Sequence, residues 1–80
     1  MKTSKITPYG KISDTPTLGQ VISMHRKKQN LTQLTLSQFA GVSTKFISEL
    51  ENGKATAEIG KTLRVLQYLG LDLIVTPRGF

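Results

Sequence analysis

From Leu31 to Lys54 the chain reads LTQLTLSQFAGVSTKFISELENGK, and this stretch constrains the fold more than any other. Two short segments with helical apolar spacing flank a Gly41-Val42-Ser43 turn. In the first, Thr32 is placed to cap a helix, and Leu36, Phe39 and Ala40 recur on the helical period. Gly41 ends it, because a glycine just past a helix takes the left-handed conformation at little steric cost. Ser43 offers a hydroxyl to cap the second helix, whose apolar positions are Ile47 and Leu50 and whose stop is Asn52-Gly53. Two helices joined by a short glycine-containing turn predict a helix-turn-helix, a motif that sets its second helix in the major groove of DNA.

The bulk properties agree. Eighty residues make one domain with a small core, so oligomerisation is expected. A net charge of +6 favours a polyanionic partner. With no cysteine there is no disulfide framework and no thiolate metal site, which suits a reducing cytoplasm. No apolar run approaches the roughly 20 residues of a membrane span, and the N-terminus lacks the apolar core of a signal peptide. No glycine-rich phosphate loop, cysteine nucleophile or Ser-His-Asp set is visible, and the five acids are mostly solitary. The chain is therefore expected to be no enzyme and to need no cofactor. His25 has no second His, Cys or nearby carboxylate at ligand spacing, so it reads as a packing or surface residue and no metal is expected.

Residues 1–16 read as a flexible basic arm, carrying Lys2, Lys5 and Lys11 against Asp14 and punctuated by Pro8, Gly10 and Pro16. A loosely docked tail is the plain reading, and an arm touching DNA phosphates or a partner is the sharper one. The globular domain is expected over residues 17–70, opened by a Thr17-x-x-Gln20 capping box. Leu18, Val21 and Ile22 follow at helical spacing with His25 at the margin, and Arg26, Lys27 and Lys28 suit the C-terminal end of the helix dipole. A fourth helix is expected after a cap at Thr56 or a neighbour, with Glu58 in its first turn and an apolar stripe of Ile59, Leu63, Leu66 and Leu69. Gly60 is expected to permit close packing, and Gly70 to close the helix. Residues 71–80 form a dimerisation strand and tail in this reading. Leu71 to Thr76 is rich in strand formers and ends at Pro77, with Leu71, Leu73 and Val75 on one face and Ile74 on the other. A lone strand leaves its backbone unpaired, and unless the arm supplies a partner the economical solution is pairing with a second copy across a two-fold axis.

The motif run resembles the Cro/CI-type repressor family: Thr32-Gln33, then Ala40-Gly41-Val42-Ser43, then Ile47-Ser48, Glu51 and Gly53-Lys54. The resemblance implies a mainly α, four-to-five-helix domain, with a C-terminal strand where most members carry a fifth helix. It implies that Arg26 forms a structural salt bridge with Glu51. It also implies that Thr44, Lys45 and Glu49 read bases, and that Gln33, Ser43, Ser48, Asn52 and Lys54 meet the DNA backbone. Glu49 departs from the amide common at its position; a glutamate can accept from cytosine N4. The C-terminal half, TAEIGKTLRVLQYLGLDLIV, is similar to HipB-type antitoxins, and the whole resemblance spans about residues 17–76. It implies a homodimer on double-stranded palindromic operator DNA, dimerising through Leu71, Leu73, Ile74 and Val75. Its partner would be a HipA-like serine/threonine kinase toxin encoded next door, with a third small subunit in some systems. Such proteins repress their own operon in the bacterial cytoplasm, associated with the nucleoid. The alternative is a protein-interaction adaptor or a phage-type repressor with no kinase partner.

Overall fold

The computed structural model describes residues 9–79, in which four helices succeed one another. They are α1 (Thr15–Lys28), α2 (Gln33–Ala40), α3 (Thr44–Glu51) and α4 (Ile59–Leu69). Residues 1–8 of the expected arm, with Lys2 and Lys5, lie outside the described residues.

Helix α1 starts two residues before the expected Thr17. Asp14 caps it, its Oδ1 accepting from Thr17 N at 2.8 Å, and Pro16 sits in the first turn, where its missing N–H costs nothing. The capping box expected at Thr17 and Gln20 is thus replaced by a cap three residues upstream. The caps of α2 and α3 fall where the sequence puts them. Thr32 accepts from Thr35 N at 3.0 Å and Ser43 Oγ from Phe46 N at 2.9 Å. Between them Gly41 takes φ +69, which turns the chain sharply enough to set α3 across α2.

Helices α1 and α3, α2 and α3, α2 and α4, and α1 and α4 pack pairwise. They enclose a core of Ile22, Leu36, Ala40, Ile47, Leu50, Val65, Leu66 and Leu69. Three expected core positions are corrected. Phe39 is 55 % exposed, and α2 buries Leu36, Ser37 and Ala40 instead. On α4, Ile59 and Leu63 are exposed, and the buried face is Thr62, Val65, Leu66 and Leu69. That face follows the i, i+3, i+4, i+7 pattern of a single helical stripe. Thr62 can join it because its hydroxyl donates to Glu58 O at 2.9 Å. The N-cap of α4 is Glu58, two residues past Thr56 and just before the first turn in which it was expected, and it makes no side-chain cap bond.

After Gly70 the chain stays near the core through half-buried Leu71 and then runs exposed. Among the described residues no strand forms, so the β-strand expected at Leu71–Thr76 is absent from the single chain. The physical reason is that nothing among the described residues offers an edge for it to pair with. Gly10, Lys11 and Ile12 lie beside residues 72–79 across an open groove without a ladder between them. Tyr9 Oη sits 2.6 Å from His25 Nδ1, with the rings edge to face, so His25 meets the expected arm at Tyr9.

The glycines divide sharply. A Cβ on Gly19 would fall 2.5 Å from Leu50 O and 2.6 Å from Glu51 O, so α1 meets the last carbonyls of α3 only because position 19 has no side chain. A Cβ on Gly60 would meet nothing within 4 Å, which corrects the close packing expected there. The two positions should respond to alanine with opposite signs. Gly19→Ala is expected to destabilise by about 1–3 kcal/mol through overpacking. Gly60→Ala is expected to stabilise by about 0.5–1 kcal/mol through helix propensity. Urea midpoints of the two variants check both, and a Gly19→Ala midpoint equal to wild type would remove the close approach.

Candidate nucleic-acid interface

Helix α3 buries Ile47 and Leu50 against the core and half-buries Phe46, which leaves its other side to solvent. Thr44, Lys45 and Asn52 are exposed, and Ser48 and Glu49 are half-buried. At 3.6 residues per turn these five positions span an arc of about 140°. Every side chain on that arc is polar or charged, and the arc opposes the core. A short helix fixed by its apolar side, with small and charged groups outward, has the form needed to enter a groove about 12 Å wide.

What fixes α3 is an ion pair at its C-terminal end. Arg26 Nε donates to Glu51 Oε2 at 2.6 Å and Nη2 to Glu51 Oε1 at 3.0 Å, a two-bond fork. The side chains are only 9 % and 6 % exposed. Arg26 Nη1 also donates to Leu31 O at 2.7 Å, and Gln33 Nε2 donates to Glu51 Oε1 at 3.0 Å. One carboxylate therefore ties α1, the start of α2 and the end of α3 together. Burial pushes the Glu51 carboxyl up, but the bonds from Arg26, Gln33 and Ser23 outweigh it and hold its pKa below the ordinary value. The bond to Glu51 raises the Arg26 pKa against the pull of burial. Thr15 Oγ1 adds a bond to Gly53 O at 2.8 Å, clasping the start of α1 to the turn after α3.

The sequence-expected contact residues fall into two groups. Thr44, Lys45, Ser48, Glu49 and Asn52 share the exposed arc of α3, with Lys54 just past it. Gln33 and Ser43 are engaged within the protein: the Gln33 amide bonds Glu51, and the Ser43 hydroxyl caps α3. The sequence reading missed that Gln33 belongs to the buried network. The signal was its place at the start of α2, two residues past Leu31, whose carbonyl Arg26 reaches. Two contacts from α4 were also missed. Lys61 Nζ lies 5.8 Å from the Phe46 ring centroid and steadies the inner side of α3. The Arg64 guanidinium approaches within 3.9 Å of the position a Cβ would take at Gly41.

Taken together, two helices meeting across a glycine turn, the second presenting a polar arc, define a helix-turn-helix protein. A helix-turn-helix family model matches residues 22–75, well over half of the chain, and the chain belongs to that family. It is 47 % identical over 62 residues to the uncharacterized HTH-type transcriptional regulator y4mF of Sinorhizobium fredii (strain NBRC 101917 / NGR234). That match covers 78 % of this chain and 82 % of the relative. Among solved structures the fold is similar to a HipA-HipB-O2-O3 complex and to a HipB-O4 20mer complex. Each has a TM-score of 0.80 at 23 % identity and covers 88 % of this chain and 99 % of the other. At that identity the likeness speaks for the fold.

Proposed function

We propose that this chain is a sequence-specific repressor that binds a palindromic operator as a homodimer and represses its own operon. In this reading it serves as the antitoxin, or the DNA-binding subunit, of a HipA-like serine/threonine kinase toxin system in the bacterial cytoplasm. The observation that carries the DNA reading is the polar arc of α3, held rigid by the Arg26–Glu51–Gln33 network. Thr44, Lys45 and Glu49 face base edges. Gln33, Ser43, Ser48, Asn52 and Lys54 meet the backbone, with Ser43 and Gln33 acting through whatever capacity their internal bonds leave. No catalytic role is assigned to any residue. Among the described residues no helix is long and apolar enough to cross a membrane.

The kinase reading is supported by the HipB solved structures among the neighbours and by the antitoxin-like C-terminal half. Residues 71–80 would then pair two copies through Leu71, Leu73, Ile74 and Val75. A mobility shift with the chain's own upstream DNA at two salt concentrations tests the repressor reading, since phosphate contacts make affinity fall with salt. Lys45→Ala is expected to cost about 1–3 kcal/mol on the cognate site and to relax the preference at one base pair. Equal weakening on every sequence would make Lys45 a phosphate contact instead. Co-purification with a neighbouring kinase tests the second half. If the chain binds its operator but no kinase is encoded beside it, the phage-type repressor replaces the antitoxin.

A further inference from the structure

An acid on a groove-facing helix is repelled by phosphates, so Glu49 needs a reason to be where it is. The structure shows that it is not solitary. After α3 the chain folds back at Gly53, which takes φ +82, and Lys54 is brought beside the last turn of the helix. Lys54 N donates to Glu49 O at 3.0 Å, and Lys54 Nζ lies 3.1 Å from Glu49 Oε1. Lys54 is thus fastened to Glu49 at both its backbone and its side chain. The side chains are 47 % and 36 % exposed, and a pair that exposed adds little to stability. Its place, with Glu49 on the polar arc and Lys54 just past it, points to recognition.

Resting on the reading of α3 as the DNA-contacting helix, we propose that Glu49 and Lys54 act as one unit that reads cytosine. Glu49 accepts from the N4 amine, and Lys54 positions the carboxylate and offsets its repulsion by phosphates. The groove chemistry selects this base. Guanine presents two acceptors and thymine an acceptor and a methyl group. Adenine sets the N7 acceptor beside its amine, and cytosine presents a donor alone. A carboxylate accepts only, so three of the four edges oppose it. Lys54 has three N–H groups, one of which holds Glu49 while the others remain for a phosphate. Lys54 is in this sense a positioning residue as well as a backbone contact.

The test is selection from a randomised DNA duplex library by the full chain and four variants, E49Q, E49A, K54M and K54R. Wild type is expected to enrich cytosine at one position in each half-site, with other bases there weaker by about 5- to 150-fold. E49Q should move that position toward adenine, because an amide bonds adenine N6 and N7 together. E49A should lose the preference at that position and keep the rest of the motif. K54M should weaken binding to all DNA and also shrink the cytosine preference, and K54R should restore both. An unchanged motif from E49Q and E49A would overturn the assignment of Glu49. A K54M motif with full cytosine preference would overturn the coupling. A wild-type chain that binds DNA but selects no cytosine fails the inference alone, whereas one that enriches no sequence fails the DNA reading and the inference with it. Matched thermal melts confirm that these surface variants fold.

Discussion

Arg26→Met and Glu51→Leu should each destabilise the domain by about 3–5 kcal/mol, the cost of leaving one member of a buried ion pair without its partner. A chain of 80 residues has a total stability of about 4–12 kcal/mol, so either change removes a large share of it. The two losses are not independent, because the same fork is broken in both. An Arg26→Met, Glu51→Leu double variant should therefore lose much less than their sum. Its recovery stays incomplete, since Leu31 O and the Gln33 amide lose their partners as well. Urea unfolding of the two single variants and the double variant measures the coupling. Additive losses would mean that Arg26 and Glu51 contribute through separate contacts.

The same network sets an acid limit. The folded-state pKa of Glu51 lies below its ordinary value, so its contribution is complete above the unfolded pKa of about 4.3. It is lost as pH falls through the folded value, because protonation then breaks the fork. Asp14 titrates in the same direction, its pKa lowered by the bonds with Thr17 at the α1 cap. Stability should thus hold steady from neutral pH to about 5 and fall below about 4. In Glu51→Gln the drop should be shallower. An equal acid drop in wild type and Glu51→Gln would place the sensitivity elsewhere.

The features legible in the sequence were local. Thr32, Gly41 and Ser43 act within four residues of themselves, and their caps and turn stand where the sequence put them. The facing of each helix was less legible, because a period defines a stripe but the neighbours decide which stripe is buried. Phe39 lost its place to Ser37, whose hydroxyl is satisfied by Leu34 O. Leu63 lost its place to Thr62 for the same reason. Gly19 gave no local signal at all: its requirement comes from the carbonyls of Leu50 and Glu51, some 30 residues away in the chain. On the candidate interface, the exposed residues of α3 were legible from the motif. The pairing of Glu49 with Lys54 was not, since it depends on how the chain turns at Gly53.

Deleting the chain from Asp72 onward should leave a folded monomer with operator affinity reduced by about 100- to 10,000-fold, the scale on which linking two binding sites acts. Among the described residues the core and the partly buried side chains packed on it end at Leu71, so none of those beyond it closes the helices. The segment past Leu71 is rich in uncovered apolar side chains: Leu73 is 53 % exposed, Ile74 75 % and Val75 89 %. Strand-forming residues without a ladder, carrying that much bare apolar surface, have both the backbone and the side chains to pair with another copy. Two strands alone are marginal and need an apolar surface beneath them. Leu66 and Leu69 cannot supply it, being buried in their own core, whereas α4 leaves Leu63 and Tyr68 exposed. Pairing matters for DNA because one short recognition helix covers few base pairs, and two held about 34 Å apart combine both half-sites. Sedimentation and mobility shift on the truncated chain, with circular dichroism to confirm its helices, separate the outcomes. A truncated chain that sediments as a dimer and binds the operator at full strength would move the interface to the exposed side of α4, and the strand model would fall.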